Sequence, residues 1–94
     1  TSIAAGVGPS SVGIGDFDED GNQDMAVADS ASSAVLLLLG DGAGGFAPPT
    51  SFGTGSTPGS LAIGDFDGDG NLDLAMIDAD AGVSVLLGNG AGSF

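Results

Sequence analysis

Four aspartates at positions 1, 3, 5 and 9 of the stretch Asp16-Phe17-Asp18-Glu19-Asp20-Gly21-Asn22-Gln23-Asp24 return forty-nine residues later, as Asp65-Phe66-Asp67-Gly68-Asp69-Gly70-Asn71-Leu72-Asp73. Carboxylates at alternate positions 1, 3 and 5 turn their oxygens toward one centre. The glycine at position 6 permits the sharp turn, and the aspartate at 9 closes the cage. This is the chemistry of a calcium loop. Like charges about 4 Å apart cost roughly 4 kcal/mol per pair at a surface-like dielectric, so the four acids need a cation, or protons, among them. An acidic solvated turn with no ion is the alternative, but it gives no reason for four Asp at the same offsets twice.

An EF-hand also opens D-x-D-x-D-G, yet its bidentate Glu stands at position 12, which here is Val27 in one copy and Met76 in the other. The flanks disagree with that motif as well. Ser11 to Gly15 before the loop and Met25 to Ala28 after it are short β-type runs, where an EF-hand needs two amphipathic helices. The expectation is a calcium loop between strands, one ion per loop and two per chain.

Composition agrees. The 94 residues contain thirteen Asp and Glu and no Lys, Arg or His, a formal charge of −13. With no cation to meet phosphates or anionic headgroups, no nucleic-acid or membrane-surface partner is expected. Eight of the thirteen acids are the aspartates of the two loops, and two divalent ions would bring the charge from −13 to −9. A salt-adapted protein would spread its acids over the surface, whereas these sit where a metal would. No cysteine is present, so neither a disulfide nor a zinc site can staple a chain that buries only about 60 to 65% of its unfolded surface. Calcium and association are the staples left. The complete lack of Lys, Arg, His, Cys, Tyr and Trp departs so far from ordinary usage that it points to an engineered, simplified or reconstructed sequence. The alternative is a natural fragment of an acidic, Gly/Ala/Ser-rich surface protein. The longest wholly apolar run, Ala34 to Leu39, is too short to span a membrane.

The repeat reaches beyond the loops. Pro9, Ser11, Val12, Ile14, Gly15 and Asp29 align with Pro58, Ser60, Leu61, Ile63, Gly64 and Asp78 at an offset of forty-nine, and Gly40-Asp41-Gly42-Ala43-Gly44-Gly45-Phe46 with Gly88-Asn89-Gly90-Ala91-Gly92-Ser93-Phe94 at forty-eight. Two copies of one unit fill the chain, one over about residues 7–54 and the other over about 56–94. Each unit reads as four strands. The first is Ser11 to Gly15 (Ser60 to Gly64), where Gly13, Gly15, Ala62 and Gly64 let sheets converge. The second is Met25 to Ala28 (Leu74 to Ile77). The third is Ala34 to Leu39 (Gly82 to Leu87), in the first copy an unbroken apolar run that argues for burial on both faces. Asp41-Gly42 and Asn89-Gly90 supply a turn with positive φ at the glycine. A fourth strand, Phe46 to about Thr54, carries Pro48 and Pro49 and so belongs on an edge.

Four-stranded antiparallel units with a small innermost strand and a proline-tolerant outermost one describe the blades of a β-propeller. The fold class expected is therefore all-β, two propeller blades per chain, with a ring closed by oligomerisation. The segments VGIGDFDEDGNQDMAVA and LAIGDFDGDGNLDLAMI, each followed by LLG[D/N]GAGxF, resemble the FG-GAP or VCBS repeats of integrin-α-type propellers over nearly the whole chain. That resemblance implies blades around a central axis, calcium between the first two strands of each blade, and an extracellular or cell-surface setting. It also implies a ligand set: the side chains of Asp16, Asp18, Asp20 and Asp24 with the carbonyl of Asn22, and those of Asp65, Asp67, Asp69 and Asp73 with the carbonyl of Asn71. The family often carries a basic residue where Asn22 and Asn71 stand. Glu19 is expected to face solvent, Asp29, Asp78 and Asp80 to cap turns, Phe17 and Phe66 to plug gaps between blades, and Phe46 and Phe94 to belong to the core.

No enzyme is expected, because only carboxylates and hydroxyls remain for acid-base or nucleophilic work and the acids are committed to metal. A calcium-dependent carbohydrate-binding lectin is the alternative function, weakened by the lack of Trp and Tyr to stack on a sugar. The expected role is structural, a calcium-binding adhesion-type scaffold that self-assembles. Thr1 to Gly6 aligns with Thr50 to Gly55, so residues 1–5 of a neighbouring chain are expected to pair along Val83 to Leu87 and complete the second blade. Blades then come in twos, giving six or eight in a homo-oligomeric trimer or tetramer.

Overall fold

A computed structural model of the chain describes residues 6, 8–54, 57–78 and 82–94. Among these residues seven strands form two antiparallel sheets. The first holds β1 (Pro9–Gly15), β2 (Asp24–Asp29), β3 (Ala34–Leu38) and β4 (Thr50–Gly53) in sequential order; the second holds β5 (Pro58–Gly64), β6 (Asp73–Asp78) and β7 (Gly82–Leu86). The chain is all-β among the described residues, and both sheets are blade-like meanders in which the acidic loops join the first strand to the second. Among those residues no helix is long and apolar enough to cross a membrane.

Period-2 alternation decides which face each side chain serves. In β2 and β3, Ala26, Val35 and Leu37 lie on one face and Val27, Leu36 and Leu38 on the other; all six are buried, which accounts for the unbroken apolar run. The face carrying Ala26, Val35 and Leu37 packs on the second sheet through Leu74 and Met76, with Leu61, Ile63, Leu72, Leu86 and Phe94 around them. Inner strands β1 and β5 come together because β1 is thin. A Cβ on Gly13 would fall 2.7 Å from Ile63 Cδ1, so the absence of a side chain there lets Ile63 lie against the strand without shifting. Serine hydroxyls stitch these strands: Leu61 N–H donates to Ser11 Oγ at 3.3 Å, and Ser10 Oγ donates to the Pro58 carbonyl at 3.4 Å.

Three expectations need correction. The outermost strand of the first sheet is Thr50–Gly53 and does not run from Phe46. Pro48 and Pro49 have no N–H to give β3, so pairing starts only after them, and Phe46 forms a separate bridge to Gly40. Phe17 does plug the gap between sheets, at 3% exposure, but Phe66 is 52% exposed, because among the described residues there is no third sheet to receive it. Asp29 closes β2 as a buried residue whose Oδ1 accepts from the Gly8 N–H at 2.9 Å, so its carboxylate anchors the strand leading into β1 instead of capping a solvated turn. Asp80 and the segment 1–5 lie outside the described residues, as does the side chain of Asp78.

Candidate metal centre

Each acidic loop is wound by its own carboxylates. Asp16 accepts the Gly21 N–H at 2.9 Å on Oδ2 and the Asp20 N–H at 3.2 Å on Oδ1; Asp65 does the same for Gly70 at 2.8 Å and Asp69 at 3.2 Å. These side chain to backbone bonds curl the chain around the first aspartate, and Gly21 and Gly70 meet the curl with φ of 90° and 87°. One oxygen from each of Asp16, Asp18, Asp20 and Asp24 can be chosen so that all four lie within 4.8 Å of one another, and Asp65, Asp67, Asp69 and Asp73 form an equal set. The eight aspartates singled out by spacing thus gather into two groups of four. The donors are hard carboxylate oxygens alone, a set that suits a divalent hard cation and offers nothing to a soft one. Either group could hold a metal ion.

The fourth aspartate of each group has a second duty. Asp24 is buried, and its two oxygens accept from the Phe17 N–H at 2.9 Å and the Gly40 N–H at 2.8 Å. Asp73 repeats this with Phe66 at 2.9 Å and Gly88 at 2.8 Å. One carboxylate therefore ties the start of the loop to the chain leaving the third strand, while its remaining lone pairs face the other three acids. Sequence reasoning missed Gly40 and Gly88. A signal was present: both glycines open the Gly-rich turn, and a Cβ on either would strike the carbonyl of the residue preceding the fourth aspartate, Gln23 or Leu72.

Asn22 and Asn71 sit at the mouth of each group. Their N–H groups donate to Asp20 and Asp69 Oδ1 at 2.8 and 2.9 Å, and their amides donate to the companion Oδ2 at 3.4 and 3.2 Å. Each amide oxygen also lies against the Gly-rich turn, where a Cβ on Gly42 or Gly90 would meet it. Glu19 is exposed, as expected, with a left-handed φ of 59°; Gly68 takes that place in the second loop with φ 75°.

The electrostatics record crowding. Desolvation inside the loop, then hydrogen bonding to the Asp20 carboxylate and repulsion from Asp24, pushes Asp18 up to about 6 from an ordinary 3.8. Asp67 is raised by desolvation and then by Asp69. Asp20 and Asp69 are held low, first by the N–H of Asn22 and Asn71. One carboxylate of each group is thus the most reluctant to ionise, through desolvation first and its acidic neighbours second, and a cation at the centre would favour its charged form.

Comparison with characterised proteins and with solved structures returned no match. The FG-GAP-like repeat profile matches residues 16–76, from the first aspartate of the first loop through the second loop to β6, which is more than half of the chain. Two blade-like antiparallel sheets, each with its acidic loop between first and second strands, agree with that match, and the protein belongs to the FG-GAP-like repeat family.

Proposed function

We propose that the chain is a calcium-binding structural module of β-propeller type, with one ion in each loop and its further blades supplied by other copies, three or four chains making six or eight blades. The observation that carries this is the pair of four-aspartate groups with Asp18 pushed up to about 6 in a chain without a single basic side chain to neutralise them. Asp16, Asp18, Asp20 and Asp24 hold the first ion, and Asp65, Asp67, Asp69 and Asp73 the second, with the backbone at Asn22 and Asn71 completing each shell. Bound calcium supplies charge neutralisation. Because Asp24 and Asp73 also fasten the loop to the chain beyond the third strand, an ion drawn to them stiffens the whole end of a blade. The role is an adhesion-type scaffold in a calcium-rich setting outside the cell, and no catalysis is assigned to it.

Isothermal titration of chelator-stripped protein with calcium tests the reading. Two ions per chain are expected, falling to one in Asp67→Ala. Each ion at a hundredfold excess over its dissociation constant stabilises the fold by about 2.7 kcal/mol. An absent binding heat together with a melting midpoint unmoved by excess chelator would refute it.

A further inference from the structure

The two sheets are copies, so the contact between them shows what each exposed end is shaped to receive. At the internal contact the first loop enters a socket on the second sheet. Gly92 N–H donates to the Phe17 carbonyl at 3.2 Å, the Phe17 ring meets Phe94 edge-on at 5.6 Å, and Phe94 meets Phe52 at 5.3 Å. Asp18 and Glu19 lie so near the turn that a Cβ on Gly92 would sit 3.5 Å from Asp18 Cβ, and one on Gly90 2.6 Å from Glu19 Oε2. Both glycines take positive φ, 75° and 86°, so the turn that meets the loop is one L side chains rarely adopt.

The first sheet carries the same socket, open. Asn22, Gly40, Gly42, Gly44 and Phe46 are the repeat counterparts of Asn71, Gly88, Gly90, Gly92 and Phe94, and they line a pocket of about 400 Å³. The matching peg is the second loop, whose Phe66 is 52% exposed where its counterpart Phe17 is 3% exposed. A second pair matches as well. Leu61 and Ile63 pack over Gly13 internally. Their counterparts Val12 and Ile14 stand 56% and 55% exposed, and the counterpart of Gly13, Ala62, lies in an apolar groove of about 220 Å³ with Ala75, Ile77 and Val83. Ile77, Val83, Val85 and Leu87, each about half exposed or more, extend that face.

The geometry points to a head-to-tail contact between two copies of this chain, in which Phe66 of one enters the Gly40–Phe46 socket of the next while Val12 and Ile14 of the latter fill the Ala62 groove of the former. It rests on the reading that copies of the chain associate, and it assigns the surface they use. Val27, Leu36 and Leu38 are already buried within the chain, and Gly6 lies against Leu36, where a Cβ would come 2.8 Å from its Cδ1. The contact therefore falls on Val12, Ile14 and the glycine turn, and leaves that patch covered. The arrangement is heterologous: peg and socket sit on different sheets, so every added copy presents a fresh peg.

Native mass spectrometry and light scattering of the 94-residue chain in calcium, with Phe66→Ser and Ala62→Leu beside it, test the assignment. Both side chains are exposed in the single chain, and Phe66 gives the second loop only its backbone N–H, which serine keeps, so each variant should keep its two-ion calcium stoichiometry and strand signal while the concentration for half-assembly rises at least tenfold. A parent chain that stays monomeric overturns the association reading and this surface with it. A parent that assembles with both variants assembling equally well overturns the surface alone.

Discussion

Replacing Asp24 by Ala separates its two duties, because one survives the removal of metal and the other does not. In chelator no ion is present, so any loss of stability must come from the Phe17 and Gly40 amides, bonded to this buried carboxylate at 2.9 and 2.8 Å. A hydrogen bond to a charged group contributes about 1.5–3 kcal/mol, and the orphaned donors cannot both reach water, so the expected loss is about 3–6 kcal/mol. Set against the roughly 5–15 kcal/mol a domain holds, that is a large share. For a chain of this size each kcal/mol moves the midpoint by about 4–8 °C, giving a fall of at least about 12 °C. Asp18→Ala makes the comparison, since this less buried acid bears the repulsion of its neighbours; in chelator its midpoint should hold or rise. Asp24→Asn keeps one acceptor and sets an amide against the other N–H, so it should fall between the two. Melting curves followed by circular dichroism in excess chelator read all three. If Asp24→Ala melts within about 2 °C of the parent under those conditions, the brace carries no energy and the argument fails.

Three further outcomes are expected. Asp18, raised to about 6, and Asp67, raised above its ordinary value, bind protons more tightly folded than unfolded; the stability they contribute is therefore present below the ordinary 3.8 and lost as pH rises through their folded values, about 6 for Asp18, so the chelated chain should melt lower at pH 7 than at pH 4. Saturating calcium should reverse that trend, since protons then compete with the ion; Asp20, Asp69 and Asp41, held low, contribute stability that is present above the ordinary 3.8 and lost as pH falls through their lowered values, so they oppose the trend only at its acid end. Asp41→Asn should leave the melting midpoint almost unmoved in circular dichroism, because Asn89 already makes the same bonds in the second sheet, to Ala91 and Ser93 at 2.8 and 3.2 Å, as Asp41 makes to Ala43 and Gly45 at 2.8 and 3.0 Å. Gly13→Val should cost about 1–3 kcal/mol in urea unfolding, because its first side-chain carbon already falls 2.7 Å from Ile63.

What could be read in advance was what is local. The turn glycines, Gly42 and Gly90, take φ of 77° and 75° as their dipeptides require, and the loop aspartates gather because their spacing alone turns them inward. Partners distant in sequence stayed hidden. Asp24 reaches Gly40 and Asp29 reaches Gly8, partners 16 and 21 residues apart, which the nine-residue loop motif does not span. The start of β4 was misplaced because Phe46 looks like a strand residue, although the prolines after it keep the ladder from forming until Thr50. Phe17 and Phe66 are the same residue in the same motif, and their opposite fates depend on whether a neighbouring sheet is there to receive them.

The thinness of β1 at Gly13 also sets an angle. Among the described residues the sheets meet at their inner edge through two serine hydroxyls and no shared backbone ladder, so side-chain volume helps to set the spacing at this spine, while the core around Leu74 and Met76 and the Gly92–Phe17 bond hold the sheets together farther out. Between the two sheets of one chain that spacer is glycine facing Ile63. Between one chain and the next, by the contact inferred above, it becomes Ala62 facing Ile14, thicker by a methyl group. Successive wedges around such an assembly thus alternate in opening, narrow within a chain and wider between chains, and its curvature is the average of the two. Exchanging glycine and alanine at these two positions would trade curvature without touching a single metal ligand.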